Sequence, residues 1–258
     1  MTHNASHFIW YELLTTDADA AERFYGAVIG WTALHPPPGS PMDYRQLQAG
    51  DNFVGGLMAL PPGADPADMP AGWLAYLSVP DVDAKIAEAV ARGSRVLMPA
   101  ADLPGVGRIA LIKDPQGARL YVMKPEGEGV SLAFSPGLAG ACGWNELQTS
   151  DAEAALKFYG DLFGFGVSHT FDMGAMGLYH IVHQGAEPVG GMMTNPAEVP
   201  HWRPYFTVPD IEAAKDRVLA QGGQVVNGPH PVPSGSTILI GRDPQGVIFA
   251  LVQPAAAA

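Results

Sequence analysis

Apolar and polar positions along this chain change period in a fixed order. Residues 8–14 (FIWYELL) alternate as a strand with two unlike faces. Thr16-Asp-Ala-Asp19 then offers a helix start with an acidic first turn, and Gly30 follows the apolar stripe as a stop signal. A helix of about three turns is predicted between them. Short strands follow at 44–48 and 54–59, and a strand at 74–79 leads into a helix opened by Asp81. Val82, Ile86, Ala89 and Val90 form the buried face of that helix, Gly93 ends it, and strands near Val96, Ile109 and Leu120 complete the series. Asp114-Pro-Gln-Gly117 suits a tight turn between antiparallel strands, because proline presets φ at the second position and glycine tolerates the fourth.

The whole series then repeats. Trp10, Glu12, Leu13, Thr15, Asp17, Phe24, Tyr25, Gly26 and Gly30 recur at a shift of 134 residues as Trp144, Glu146, Leu147, Thr149, Asp151, Phe158, Tyr159, Gly160 and Gly164. Val54-Gly-Gly-Leu-Met58 returns as Val189-Gly-Gly-Met-Met193, residues 73–81 return as 202–210, and Asp114-Pro-Gln-Gly117 returns as Asp243-Pro-Gln-Gly246. Two homologous domains are expected, 1–127 and 140–258, joined by a Gly-, Ser- and Pro-containing linker at 128–139. Each domain reads as strand, helix, three strands, twice over. The expected fold is α+β: paired βαβββ modules that form a curved, cup-like antiparallel sheet with helices outside.

Composition narrows the function. Apolar residues make up 47% and charged residues 16% of the 258, enough for a buried core and far from a disordered composition. The formal charge of −12 opposes binding to nucleic acid or to an anionic membrane. Cys142 is the single cysteine, which excludes an internal disulfide framework and a cysteine-based zinc finger. No run approaches the roughly 18 apolar residues of a membrane span, so the reading is a cytoplasmic protein with no membrane partner.

The opening strand, residues 17–30 with Phe24-Tyr25, their copy at 151–164, Leu77-Ser-Val-Pro-Asp81 with its copy, and the two Asp-Pro-Gln-Gly turns together resemble a tandem member of the vicinal oxygen chelate superfamily. That group holds glyoxalases, bleomycin-resistance proteins and extradiol dioxygenases. The resemblance covers nearly the whole chain and implies cups able to hold a small molecule. It also implies modules paired across the chain, so that the halves act as an internal pseudo-dimer in a monomer or homodimer.

In metal-dependent relatives a His from the first strand, a second His opening the strand that ends at Val79 or Val208, and a Glu past the turn hold a divalent ion. The corresponding positions are Trp10, Leu74 and Tyr121 in the first half and Trp144, Arg203 and Ala250 in the second. None supplies an imidazole or carboxylate, so no metal and no cofactor is expected there.

Trp10 and Glu12 share a strand face, as do Trp144 and Glu146; Tyr76 and Tyr205 share faces with Leu74 and Arg203, and Tyr121 joins them. The plain reading is ordinary core, with each Glu paired to an Arg or a backbone donor. The sharper one is a pocket that stacks a planar or cationic ligand on Trp and anchors it with Glu. His180 and His201, in the second half only, are further ligand-contact candidates. The leading expectation is metal-independent binding of a small aromatic or cationic molecule. Its rival is a glyoxalase-like lyase, isomerase or hydroxylase with a non-standard metal set, or with Glu12 and Glu146 in acid–base roles. Gly55-Gly56 and Gly190-Gly191 precede no helix and read as a bulge or a close backbone approach.

Overall fold

The computed structural model describes residues 6–127 and 129–256. Four βαβββ modules run in order. The first is β1 (Phe8–Thr15), α1 (Ala18–Ile29), β2 (Thr32–Leu34), β3 (Arg45–Ala49) and β4 (Asn52–Ala59). The second is β5 (Gly72–Ser78), α2 (Val82–Ala91), β6 (Arg95–Leu103), β7 (Gly107–Lys113) and β8 (Arg119–Pro125). The third is β9 (Cys142–Thr149), α3 (Ala152–Phe163), β10 (Gly166–Asp172), β11 (Leu178–Gln184) and β12 (Glu187–Thr194). The fourth is β13 (His201–Thr207), α4 (Ile211–Ala220), β14 (Gln224–Pro231), β15 (Thr237–Arg242) and β16 (Ile248–Gln253).

The helices begin and end where the local chemistry demands. Asp17 and Asp151 adopt extended backbone and accept the amide N–H of Ala20 and Ala154, and Asp81 and Asp210 do the same for Ala84 and Ala213. Gly30 and Gly164 close α1 and α3 in the left-handed region, at φ 94° and 75°. Among the described residues no helix is long and apolar enough to cross a membrane.

Each half of the chain builds one open, curved eight-stranded sheet. The strand orders are β2-β3-β4-β1-β5-β8-β7-β6 and β10-β11-β12-β9-β13-β16-β15-β14. The sheets are mixed rather than wholly antiparallel: β1 runs parallel to β4, β5 to β8, β9 to β12 and β13 to β16. The helix returns the chain so that the next strand repeats the direction of the first, and two hairpin turns later the fourth strand again shares that direction.

Packing cuts across the halves. One compact unit takes the chain up to Ile9, residues 75–130 and residues 145–203; the other takes 10–74, 131–144 and the chain from Pro204 on. The first, the 2/3 unit, is built on modules two and three, and the second, the 1/4 unit, on modules one and four.

The same device holds each unit together. In the 2/3 unit the Trp202 indole donates to the Tyr159 hydroxyl at 2.9 Å, and that hydroxyl donates to Asp114 Oδ2 at 2.9 Å. In the 1/4 unit Trp73 donates to the Tyr25 hydroxyl at 3.4 Å, and Tyr25 donates to Asp243 Oδ2 at 3.0 Å. The other oxygen of each aspartate receives backbone N–H groups of its own turn: Gln116, Gly117 and Ala118 for Asp114, Gln245 and Val247 for Asp243. Helix ends are tied across halves too, since Lys85 of α2 donates to the Leu162 carbonyl near the end of α3, and Arg217 of α4 to the Val28 carbonyl near the end of α1.

Candidate functional site

Strand β9 carries Trp144, Glu146 and Gln148 on one face, and the structure assembles a polar cluster on Glu146. Glu146 is buried and accepts three hydrogen bonds: from Gln148 Nε2 at 2.7 Å, from the Tyr179 hydroxyl at 3.2 Å and from Arg203 Nη1 at 3.2 Å. Arg203, also buried, turns its Nη2 to Glu198, and Asn195 donates to both Glu198 and Gln148. His201 stands beside them, Nδ1 on the Val199 carbonyl at 2.8 Å and Nε2 at 3.6 Å from Glu198. Burial, then the Arg203 charge, push its pKa below the ordinary histidine value. One guanidinium therefore serves two carboxylates, and the lone pairs of Glu146 are already engaged by the protein's own donors.

Above this carboxylate lies a ring that the Gly-Gly pair admits. Gly191 is the register partner of Glu146, and a Cβ on it would run into the Tyr179 ring. The first half repeats the arrangement: Gly56 is the partner of Glu12, a Cβ there would meet Tyr44, and the Trp10 indole donates to the Tyr44 hydroxyl at 2.7 Å. At the preceding glycines, Gly55 and Gly190, a Cβ would collide with the backbone carbonyls of Tyr11 and Asn145, as a close strand approach requires.

The aromatic positions fall into separate groups. Within the 1/4 unit, half-buried Trp144 packs with Ile238 and Ile240 against buried Tyr205, Ala250 and Val252. Tyr205 is the register partner of Ala250. Trp10 is likewise half-buried, while Glu12 and Leu74 are sealed. Within the 2/3 unit Tyr76 and Tyr121 are register partners whose buried rings stack at 4.2 Å and 21°.

His180 is placed elsewhere. It alternates with Tyr179 along β11 and so faces the helix side, bonded to Thr170 at 3.0 Å and lying 3.6 Å from Glu153 of α3. Its counterpart Arg45 does the same on the first sheet, pairing with Asp19 and Glu22 of α1. His180 therefore does not join Glu146, whereas His201 and Arg203 do. Cys142 is buried and its thiol is pushed up to about 12, so it stays protonated and inert. Tyr179, Tyr44, Gln148, Asn195 and Glu198 escaped the sequence reading. The recurrence of Tyr44 at Tyr179 was a usable signal, but Glu198 and Asn195 lie in a loop outside any periodic pattern.

Comparison with known proteins gives this geometry a lineage. The pattern of the Glyoxalase/Bleomycin resistance protein/Dioxygenase superfamily matches twice, over residues 7–122 and 141–251. The chain belongs to this superfamily. Among superfamily relatives it is 36% identical over 250 residues to "Putative glyoxylase CFP32" of Mycobacterium bovis, covering 95% of this chain and 94% of that one. It is 32% identical over 259 residues to "Anthracycline biosynthesis protein DnrV" of Streptomyces peucetius, with 95% and 92% covered. Among solved structures, homoprotocatechuate 2,3-dioxygenase from Brevibacterium fuscum in complex with 3,4-dihydroxyphenylacetate shares the fold. That likeness has a TM-score of 0.69 and 18% identity, over 98% of this chain and 82% of that one.

A metal-bound protein also shares the fold, the Mn(II)-bound glyoxalase of Novosphingobium aromaticivorans, alike at a TM-score of 0.66 and 18% identity over 97% of this chain and 82% of that one. At the positions that the resemblance assigns to metal ligands, this chain has indole, alkyl and phenol in one half and indole, guanidinium and methyl in the other. Arg203 is moreover paired with two carboxylates. This donor set does not fit a divalent ion. Among the described residues no group of three or more His, Cys, Asp and Glu side chains is placed to hold one.

Proposed function

We propose that the chain binds a small planar aromatic molecule without a metal, with Trp144 and Trp10 as its stacking surfaces. One observation carries this: both indoles remain half-buried on strands whose following residues are sealed, and the resemblance implies that in both halves they take the place of a metal ligand. An indole held open to solvent on a sheet face offers stacking area and little else. The half-buried Ile238 and Ile240 beside Trp144 extend that apolar wall. Charge recognition is secondary in the second half, because Arg203 already answers Glu146. Two relatives are named for the biosynthesis of anthracyclines, which are planar fused-ring compounds, and those names support an aromatic ligand.

Titration with two planar probes of opposite charge, 8-anilinonaphthalene-1-sulfonate and proflavine, followed by tryptophan emission, tests this. Saturable quenching is expected, with Trp144→Ala weakening half-saturation by about tenfold, equivalent to about 1.4 kcal/mol of lost stacking. Identical curves for wild type, Trp10→Ala and Trp144→Ala would overturn the assignment. So would a stoichiometric divalent ion in protein purified without chelators.

A further inference from the structure

We propose that Tyr44 is a positioning residue for the Trp10 face: it holds the indole by its N–H edge and leaves only the flat of the ring to a ligand. This role rests on the aromatic-ligand reading above, whose contact geometry it specifies. The Trp10 indole donates from Nε1 to the Tyr44 hydroxyl at 2.7 Å. An indole has no second N–H to give, so its polar edge is committed and its faces remain. Without that bond a half-buried indole turns about its side-chain torsions, and a ligand stacking on it has to arrest the motion at a cost.

The hydroxyl is itself held in place, by contacts that all lie within the 1/4 unit. The Tyr44 ring occupies the space a Cβ on Gly56 would fill, so glycine there lets the ring down onto the sheet. Arg45, the next residue, stands opposite Leu57 of β4. It is clamped to Asp19 at 2.5 Å and Glu22 at 2.7 Å on α1, and to Asp43 at 2.6 Å on the other side of Tyr44. The tyrosine thus stands between two anchored neighbours at the end of the exposed stretch 37–43. A ligand oxygen can take the indole N–H only by displacing this hydroxyl, so an acceptor at the ring's edge adds little to affinity. Flat ring area counts instead. The ligand class this face suits is a fused-ring aromatic that lies on the indole with its polar substituents turned away from the N–H.

NMR of the isotopically labelled full chain tests this, because each of the five tryptophans gives one indole N–H resonance and Trp10→Phe identifies that of Trp10. Tyr44→Phe keeps the ring over Gly56 and loses the hydroxyl. Before any ligand is added it should shift the Trp10 resonance and speed its exchange with water about tenfold. Tyr179→Phe, whose hydroxyl donates to Glu146, should leave that resonance in place. Titrated with proflavine, the Trp10 resonance should report half-saturation about fivefold weaker in Tyr44→Phe than in wild type. A hydroxyl with a merely structural role would lower Tm while leaving the resonance and the half-saturation as they are. That result, or a moved resonance with unchanged half-saturation, would overturn the proposal. The aromatic-ligand reading fails by a different sign, and takes the proposal with it: in wild type neither the Trp10 nor the Trp144 resonance would respond to proflavine or to 8-anilinonaphthalene-1-sulfonate, whatever Tyr44→Phe does to the spectrum of the free protein.

Discussion

At the scale of single residues, Arg203 and Glu146 form a buried ion pair in the second half. Removing one partner of a buried pair leaves an uncompensated charge, whereas removing both leaves none. Arg203→Met is therefore expected to destabilise the chain by about 3 kcal/mol, and the double variant Arg203→Met with Glu146→Gln to recover most of that loss. Urea denaturation of the two singles and the double would close the cycle, and additive effects would show the pair to be uncoupled. Much of this cluster was legible beforehand. Period-two alternation put Trp144 with Glu146 and Tyr205 with Arg203, because a strand leaves no other arrangement. Tyr179 and Glu198 were not legible, because their roles depend on contacts no local pattern records: a ring lying over a glycine of the adjacent strand, and a loop carboxylate reaching back to Arg203. His180 was misplaced for a related reason. Its chemistry suggested a site, but its parity along β11 sends it to the helix.

At the scale of elements, the Gly-Gly pairs decide how closely strands and rings approach. Their two members should respond differently to the same added methyl. At Gly190 the obstacle is the Asn145 backbone carbonyl, which cannot move without breaking strand pairing; at Gly191 it is the far end of the Tyr179 side chain. Gly190→Ala should therefore cost roughly 3 kcal/mol and Gly191→Ala roughly 1 kcal/mol. Gly56→Ala should in addition change probe binding by moving Tyr44, whose hydroxyl accepts from the Trp10 indole. Denaturant midpoints and the titration described above separate the two effects, and equal stability losses would contradict the distinction. Helix starts at Asp17, Asp81, Asp151 and Asp210 could be read because a cap is a contact within four residues. The parallel β1–β4 and β5–β8 pairings could not, since strand order comes from how the modules fold back rather than from any one segment.

For the whole molecule, the repeated Phe-Tyr and Asp-Pro-Gln-Gly motifs prove to be parts of one contact. Tyr25 meets Asp243 across 218 residues of sequence, and Tyr159 meets Asp114 across 45. Asp114→Ala deprives three backbone N–H groups and a tyrosine hydroxyl of their acceptor, and is expected to cost about 3 kcal/mol. Burial raises the pKa of Asp114 and of Asp243 above the ordinary aspartate value. The folded state thus holds these protons where the unfolded chain has released them. Their contribution to stability is fully present below the unfolded pKa and declines as pH rises through the raised folded value. Asp114→Asn cannot ionise, so its stability should fall less than that of wild type between about pH 4 and neutrality. Denaturation curves across that range would show it, and parallel profiles would contradict it. These tyrosine–aspartate contacts also bear on what the duplication achieved. Two free chains, each bearing one half, would have to collide before either hydrogen bond could form, and dilution would part them. Joined by the peptide stretch around Ser131, the halves meet at an effective concentration set by that tether's reach, on the order of millimolar, so the protein's integrity no longer depends on how much of it a cell makes.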